Sequence, residues 1–212
     1  MRPRRLREAL RLIVITDAEI AAPRSVIDVV RACVAGGARA VQLRDKHRPA
    51  RELMEIGSVL RAITREGGAL LFVNDRLDIA LALEADGAHL GPDDIPVAYA
   101  RRWVPSDFLI GRSADRIDEA RSAVTDGADY IGCGTVYPTA TKPDAGEVIG
   151  VAELDRVAAA LDVPVVGIGG ITLDRAVAVA ATHAAGVAVV SDLMAAEDPR
   201  DRTRRFLEVL RR

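Results

Sequence analysis

The sequence lacks a dominant charge. Its 29 basic and 31 acidic residues leave a formal net charge of −2, so the molecule has no overall positive field that could hold a nucleic acid or an anionic membrane surface. The composition therefore argues against nucleic-acid-binding and membrane-associated proteins. Any anion that this chain binds must be held by a local group of side chains.

Long apolar segments and clustered cysteines are also missing. No run approaches the roughly 18 apolar residues that a membrane-spanning helix needs, and the first apolar run, residues 12–15, is too short for the core of a signal peptide. Cys33 and Cys133 lie inside apolar runs without metal-ligand spacing. We therefore expect a soluble cytoplasmic protein with reduced thiols. The arginines before the first run predict a solvated lead-in; they are Arg2, Arg4, Arg5, Arg7 and Arg11.

What the sequence does contain is a repeat. A short run rich in Val, Ile, Leu and Ala, a turn, and a longer segment with helical periodicity recur along the chain. The short runs cover residues 12–17, 40–45, 70–75, 87–91, 108–113, 130–136, 163–170 and 186–192. Helical segments are predicted at 24–35, 49–66, 76–84, 115–125, 151–161, 173–183 and 199–210, with a weaker one near 95–102. Runs that are almost continuously apolar are typical of parallel strands covered on both faces.

Eight such units predict an α/β protein with one domain, residues 1–212, folded as a single (β/α)₈ TIM barrel. The alternative architecture is a doubly wound open sheet. A Rossmann-type sheet would be expected to carry a Gly-x-Gly-x-x-Gly turn after its first strand, and residues 15–18 (Ile-Thr-Asp-Ala) have none. Count and spacing favour the barrel, in which active sites lie at the C-terminal ends of the strands.

Polar residues are concentrated where the predicted strands end. Three cations, three hydroxyls and two carboxamides would share one edge of the barrel: Arg44, Lys46, Lys142, Ser113, Thr139, Thr141, Gln42 and Asn74. Any one of them alone could be ordinary loop chemistry. Together they form an oxyanion-binding set, because a guanidinium offers phosphate oxygens a planar fork and an ammonium offers a point charge. The set predicts a site for a multiply charged phosphate ester or a diphosphate.

Two aspartates at this edge predict a magnesium site. Asp75 and Asp94 close consecutive strands and are therefore neighbours, near enough to share one ion. Mg²⁺ commonly takes one or two carboxylates together with phosphate oxygens and water. The structural alternative is that the two aspartates cap the helices that follow them.

A second anion site is predicted beside strands seven and eight. Gly169 and Gly170 would let backbone amides approach a phosphate closely, and Val190 and Ser191 end the adjacent last strand. A phosphate site after strands seven and eight is common in this fold. A glycine pair alone could equally form a tight turn.

The sequence offers no convincing catalytic triad. Its three histidines, His47, His89 and His183, are scattered, and none has an obvious nucleophile partner. His89 is compatible both with lining a pocket and with a buried structural role.

Several segments resemble the thiamine-phosphate synthase family, in order and across nearly the whole chain. They are 41–46 (Val-Gln-Leu-Arg-Asp-Lys), 74–76 (Asn-Asp-Arg), 85–91 (Ala-Asp-Gly-Ala-His-Leu-Gly), 127–132 with 138–142 (Pro-Thr-Ala-Thr-Lys), and 167–171 (Gly-Ile-Gly-Gly-Ile). The Gln-Leu-Arg-Asp-Lys and Thr-x-Thr-Lys motifs are specific, whereas many phosphate-binding barrels share the glycine segment. The resemblance implies an enzyme that joins hydroxymethylpyrimidine diphosphate to hydroxyethylthiazole phosphate and releases pyrophosphate, with Mg²⁺ as its cofactor.

The resemblance also implies a role for each site residue. The pyrimidine diphosphate would be held by Gln42, Arg44, Lys46, Asn74, Ser113 and Lys142; Mg²⁺ by Asp75 and Asp94; and the thiazole phosphate by Thr139, Thr141, Gly170, Val190 and Ser191. In the family the diphosphate ionises first, and the thiazole nitrogen captures the pyrimidinylmethyl cation. Such a dissociative step needs neutralisation of the leaving group by Mg²⁺, Arg44, Lys46 and Lys142 rather than a separate acid, base or covalent nucleophile.

Two positions depart from the pattern of the family. Pro92 stands where the family usually has glutamine after Gly91, so a side-chain hydrogen bond is lost. Arg112 stands where the family usually has valine before Ser113, which adds a charge there. Because neither position coincides with the expected metal ligands or main cations, we expect substrate affinity to change more than the type of reaction.

Two other functions are compatible with the sequence. A thiazole tautomerase, a related barrel, binds thiazole phosphate without coupling it, but it should lack the full diphosphate set. A non-catalytic phosphate-ligand sensor would need no Mg²⁺ for turnover. In each case the partners are small molecules, and a homo-oligomer is compatible with the sequence, which does not determine the oligomeric state.

Overall fold

Eight parallel strands close into a barrel, each pairing with its neighbours in chain order, and the last strand pairs with the first. The computed structural model describes residues 3–139, 141 and 147–211, with side chains from residue 5 onward. The strands are β1 (Leu12–Ile15), β2 (Ala40–Leu43), β3 (Leu70–Asn74), β4 (Gly87–Leu90), β5 (Leu109–Ser113), β6 (Tyr130–Cys133), β7 (Val165–Ile168) and β8 (Gly186–Val189). The predicted barrel is thereby confirmed, and the open sheet is excluded.

Helices follow the strands and surround the barrel. In the described part of the chain they are α1 (Pro3–Ala9), α2 (Ala18–Ala21), α3 (Val26–Ala35), α4 (Ala50–Gly67), α5 (Leu77–Ala82), α6 (Val97–Ala100), α7 (Ile117–Thr125), α8 (Gly150–Ala159), α9 (Leu173–Ala180), α10 (Ser191–Met194) and α11 (Pro199–Val209). Each predicted helical segment overlaps one of these helices, although α4 ends one residue later and α8 begins one residue earlier than predicted. The short helices α2 and α10 and the first helix, α1, were not expected.

Local sequence signals explain where several helices begin and end. The side chains of Ser25, Thr172 and Asp198 accept hydrogen bonds from backbone amides in the first turns of α3, α9 and α11, as N-cap residues do. Helix α4 ends at Gly68, whose φ of 62° lies in the left-handed region that favours glycine.

The apolar core has two layers, separated by the strands. Successive residues of a strand face opposite sides, so Leu12 and Val14 pack between barrel and helices, whereas Ile13 and Ile15 point into the barrel. Both sides are covered, and for this reason the strand sequences are continuously apolar rather than alternating. Each large side chain fully buried in this way stabilises the fold by about 2 kcal/mol.

The N-terminal segment contains a helix that closes one end of the barrel, which the predicted solvated lead-in did not include. Arg5 and Arg7 are exposed, as expected, but Leu6 and Leu10 are buried in the interior layer with Ile13. Leucines four residues apart lie on one face of a helix. The helix was not predicted because the two leucines are surrounded by arginines in the sequence.

The strands are shorter than predicted, mostly at their C-terminal ends. Strand β6 ends at Cys133 rather than at residue 136, and β8 ends at Val189 rather than at residue 192. Ser191 begins the single turn of α10. Arg44 and Asp75, which were counted with the strands, therefore lie beyond them, whereas Gln42, Asn74 and Ser113 remain in β2, β3 and β5. We call the strand ends together with the loops that follow them the rim.

Cys33 and Cys133 are both buried free thiols. Burial raises the pKa of Cys33 to about 11 and that of Cys133 to about 12, so neither thiol is an activated nucleophile. Among the described residues, no helix combines the length and the apolar character that crossing a bilayer requires.

Candidate active site

The carboxyl groups of Asp75 and Asp94 meet at the rim. Asp75 follows the last residue of β3 with a φ of 61°, a left-handed conformation that is uncommon for a non-glycine residue. Its backbone amide donates to the carbonyl of His89 on β4, at 2.9 Å. Asp94 lies in the turn after β4, where its Oδ2 accepts a hydrogen bond of 2.6 Å from the amide of Gly91. Oxygens of the two carboxyl groups lie side by side above Gly91, where a Cβ would be 3.2 Å from Oδ2 of Asp94 and 3.9 Å from Oδ1 of Asp75.

This meeting perturbs the pKa of Asp75. Burial, the hydrogen bond to Asp94 and the charge of Asp94 raise it from 3.8 to about 6, while the charges of Lys46 and Arg44 oppose the rise. Two carboxylates this close resist simultaneous ionisation unless a cation joins them. The rim therefore brings the predicted metal ligands and two of the predicted cations into one electrostatic unit.

Neither aspartate caps the helix that follows it, which was the structural alternative. The N-cap position of α5 is Arg76 and that of α6 is Pro96, and neither helix has a side-chain cap hydrogen bond. Within the described ranges there is no group of three His, Cys, Asp or Glu side chains arranged to hold a metal. An ion at the aspartate pair would thus need further ligands from a substrate or water, which suits Mg²⁺.

Arg44 is held in place by a buried threonine. Thr16, just after β1, accepts from the Arg44 amide at 2.8 Å and donates its hydroxyl to the Arg44 carbonyl at 3.0 Å. The next charges along the loop neutralise each other, because Arg48 forms an ion pair of 2.8 Å with Asp45. Lys46 is exposed; it is one of two lysines in the chain, the other being Lys142.

A polar chain runs through the interior of the barrel beneath the rim. Nδ1 of His89 lies 3.0 Å from the hydroxyl of Tyr130, and its Nε2 lies 3.0 Å from Oγ of Ser113. The side chain of Gln42 also interacts with Tyr130, where it opposes the rise in the tyrosine pKa. Burial raises the pKa of Tyr130 well above its ordinary value, so the phenol stays protonated. Two predicted diphosphate ligands, Gln42 and Ser113, are thus joined by two residues that were not assigned to the site.

Strand register and a glycine make room for this chain. Gly111 pairs with His89 on one side and with Tyr130 on the other. A Cβ at Gly111 would lie 2.5 Å from Nδ1 of His89 and closer still to the Tyr130 ring. The ring of Phe72 meets that of Tyr130 edge-on, with centroids 5.4 Å apart. In the sequence, the polar chain could have been predicted only from the tyrosine and its glycine neighbours, which stand out in otherwise aliphatic strands.

The expectation that no histidine has a nucleophile partner is corrected by His89. Its distance of 3.0 Å from Ser113 Oγ is that of a serine and base pair. The other ring nitrogen faces a tyrosine, however, and not the carboxylate that orients a base in a catalytic triad.

The loops after β6 and β7 pack together to form the second part of the rim. The amide of Tyr137 donates to the carbonyl of Gly169 at 3.0 Å. Gly170 has a φ of 60°, and a Cβ there would lie 2.5 Å from the carbonyl oxygen of Pro138. Arg175, which the sequence did not point to, donates to the Gly170 carbonyl at 2.7 Å and lies 4.9 Å over the Tyr137 ring.

The predicted thiazole-phosphate ligands border this contact. The Thr141 amide donates to Oγ1 of Thr139 at 3.2 Å. Val190 and Ser191 lie at the start of α10, where Asp192 accepts a hydrogen bond of 2.7 Å from the amide of Leu173 in α9. Lys142, the third predicted cation, lies outside the described residues.

Comparison with known proteins identifies the family of this chain. The family model for thiamine monophosphate synthase matches residues 12–193. The thiamine-phosphate synthase of Moorella thermoacetica is 47% identical over 201 residues, covering 95% of this chain and 96% of that protein; the one of Roseiflexus castenholzii is 47% identical over 196 residues, covering 92% and 86%. The solved structure of thiamine phosphate pyrophosphorylase from Pyrococcus furiosus has a TM-score of 0.89 and 44% identity, and 97% of each chain is covered. The chain therefore belongs to the thiamine-phosphate synthase family, whose members are transferases that release pyrophosphate.

Proposed function

We propose that this enzyme couples hydroxymethylpyrimidine diphosphate with hydroxyethylthiazole phosphate in a substitution that is assisted by Mg²⁺ and in which the pyrimidine diphosphate ionises first. The observation that carries the proposal is the paired carboxyl groups of Asp75 and Asp94 with the charges of Arg44 and Lys46 beside them. A site that combines an acidic pair with cations suits a metal-bound diphosphate better than it suits a free anion or a metal alone.

The acidic pair fits Mg²⁺ by its donor chemistry. Asp75 and Asp94 supply hard carboxylate oxygens, and the pKa of Asp75 is raised first by burial and then by its contact with Asp94, which a divalent cation would relieve. When bound, Mg²⁺ would neutralise part of the charge that develops on the departing diphosphate. The remaining ligand positions would belong to diphosphate oxygens and water.

In this proposal the cations and the polar chain act on the leaving group. Arg44, Lys46 and Lys142 stabilise the pyrophosphate as its bond to the pyrimidine methylene carbon breaks, and Asn74 and Gln42 orient the substrate. The site then needs no general base, since the thiazole nitrogen carries its own lone pair.

The proton arrangement of the polar chain follows from the pKa of Tyr130. Because the phenol stays protonated, in the proposed arrangement it donates to Nδ1 of His89. Nε2 of His89 then carries its proton and donates to Ser113. The hydroxyl hydrogen of Ser113 is left to donate to a diphosphate oxygen, which makes Ser113 a donor and not a nucleophile.

The second part of the rim would hold the thiazole phosphate. Gly170 in its left-handed conformation exposes backbone next to the loop that carries Thr139 and Thr141, and Val190 and Ser191 begin α10. Backbone amides and hydroxyls of this kind bind a monophosphate without metal. Substrate nitrogen and methylene carbon would then face each other between the two parts of the rim.

The coupling assay tests the proposal. Purified protein given both substrates should release pyrophosphate and form thiamine phosphate with Mg²⁺, and should form neither after the metal is removed with a chelator. A thiazole tautomerase would form no thiamine phosphate under any condition. A ligand sensor would bind phosphate compounds without turnover, so absence of the product with every metal tested would refute the synthase.

A further inference from the structure

The turn that carries Asp94, residues 91–94, is closed by two hydrogen bonds between its ends. The amide of Asp94 donates to the carbonyl of Gly91 at 3.2 Å, and the amide of Gly91 donates to Oδ2 of Asp94 at 2.6 Å. Gly91 also lies directly beneath the acidic pair, because a Cβ there would be 3.2 Å from Oδ2 of Asp94 and 3.9 Å from Oδ1 of Asp75. The direction of the Asp94 carboxylate therefore depends on where the backbone of Gly91 is held.

Arg112 on the neighbouring strand holds that backbone. Its guanidinium donates to the carbonyl of Gly91 and, at 3.4 Å, to the carbonyl of Pro92. Arg112 pairs in register with Leu90, the last residue of β4. One side chain on β5 thus spans the first peptide groups of the turn.

The side chain of Arg112 is oriented away from the barrel interior. The hydroxyl of Ser113 meets His89 inside the barrel, and adjacent residues of a strand face opposite sides. Ile110, which shares the side of Arg112, packs in the layer between barrel and helices. The charge that the sequence places beside Ser113 is therefore directed to the turn and not into the pocket.

The two departures from the family pattern are in contact with each other. Proline at position 92 removes a side chain that could form a hydrogen bond, and arginine at position 112 adds two hydrogen bonds to the same turn. Each change taken alone would leave the turn differently supported. Their contact suggests that one compensates for the other.

We propose that Arg112 is a positioning residue that fixes the 91–94 turn and thereby aims the Asp94 carboxylate at Asp75, replacing support that Pro92 cannot give. The inference rests on the proposed magnesium site. Groups that orient a metal ligand typically affect metal affinity about 10-fold to 100-fold when removed. Arg112 would act through Asp94 without touching the ion or either substrate.

The first test measures metal binding directly. Isothermal titration of Mg²⁺ into protein saturated with inorganic pyrophosphate should give an affinity about tenfold weaker for Arg112→Met than for the wild type. The control Arg121→Met, on the exposed face of α7, should leave the affinity unchanged. In steady-state kinetics Arg112→Met should raise the Mg²⁺ concentration for half-maximal rate while the KM for thiazole phosphate stays constant. A lower unfolding temperature with unchanged Mg²⁺ affinity would overturn the proposal, since it would show a structural role only.

The second test is a pair of double-mutant cycles. Pro92→Gln should restore most of the Mg²⁺ affinity that Arg112→Met loses, and it should change the wild type little; lack of rescue would overturn the compensation. In an Asp94→Asn background, Arg112→Met should cost no further activity, because its effect passes through Asp94. An equal loss in both backgrounds would overturn the positioning role. If the wild type makes thiamine phosphate without Mg²⁺, the proposed magnesium site is refuted. The double-mutant cycle with Asp94→Asn still tests whether Arg112 positions Asp94.

Discussion

Asp75 holds its proton more tightly in the folded protein than in the unfolded chain. Its pKa rises from 3.8 to about 6, first because of burial and then because of Asp94. Between these two values the folded state binds more protons than the unfolded state, so the free energy of unfolding decreases as the pH rises. The stability that the protonated group contributes is present at low pH and is lost as the pH passes about 6.

We therefore expect the unfolding temperature of the metal-free protein to fall across this pH window more steeply than that of Asp75→Asn. Thermal unfolding at a series of pH values in the presence of a chelator measures both curves. Saturating Mg²⁺ with pyrophosphate should reduce the difference, since a bound cation competes with the proton. Parallel curves for the two proteins would contradict the assignment of this titration to Asp75.

Tyr130 links the two sides of the interior polar chain through its hydroxyl. Tyr130→Phe keeps the packing against Phe72 but removes the hydroxyl that faces Nδ1 of His89 and interacts with the Gln42 side chain. We expect kcat/KM for the pyrimidine diphosphate to fall about tenfold, or about 1.4 kcal/mol. Steady-state kinetics measure this, with Tyr99→Phe as control because Tyr99 is 58% exposed. Equal kinetics of wild type and Tyr130→Phe would remove the polar chain from the mechanism.

Lys142 is the cation whose role rests on the sequence alone. If it neutralises the leaving pyrophosphate, Lys142→Ala should lower kcat/KM at least tenfold, about 1.4 kcal/mol of transition-state stabilisation. Arg102→Ala, the removal of an exposed cation beyond α6, should leave the kinetics unchanged. Unaltered kinetics in the lysine variant would exclude Lys142 from the site.

At the level of single residues, the sequence predicted the residues with reactive or charged side chains better than the residues that hold them in position. Asp75 and Asp94 could be paired because each ends a neighbouring strand, a relation that counting strands reveals. The contacts of Thr16 and Tyr130 could not be predicted, because their partners Arg44 and His89 are distant in the chain. Which hydroxyl meets which backbone group depends on strand register, and a single sequence does not specify register.

Among the elements, strand centres were predictable and strand ends were not. The apolar composition of runs such as those of β1 and β6 predicts a buried strand. The residue at which the chain leaves the sheet, however, depends on hydrogen bonding at the rim. Asp75 is an example, since it leaves β3 in a left-handed conformation. The single turns α2 and α10 escaped prediction because four residues carry almost no periodic signal.

Helix α1 with the residue that follows it stabilises the barrel at the end opposite the rim. Leu10 is fully buried in the interior layer, so Leu10→Ala should lower the free energy of unfolding by about 2–5 kcal/mol. Urea unfolding measures this, with Leu81→Ala as control because Leu81 is 37% exposed. The KM values of the variant for both substrates should be unchanged at a temperature at which it stays folded. A loss of substrate affinity without a loss of stability would contradict the purely stabilising role of Leu10.

For the molecule as a whole, α1 and the candidate site lie at opposite ends of one barrel. The apolar layers and α1 hold the strands, while the perturbed carboxyl pair and the polar chain lie at or just beneath the rim. With a net charge of −2, the protein offers little long-range attraction to the anionic substrates that we propose. Cytoplasmic location and a homo-oligomeric state stay predictions from the sequence.

The positive charge of the chain is distributed unequally between its two chemical carriers. Of the 29 basic side chains only Lys46 and Lys142 are amines, and the rest are guanidiniums. Lys46 is exposed and close enough to Asp75 to affect its pKa. Reagents that acylate amines but spare guanidiniums thus have two side-chain targets in this protein, and both belong to the proposed diphosphate site. Protection of these amines by pyrophosphate with Mg²⁺ would report occupancy of that site without a turnover assay.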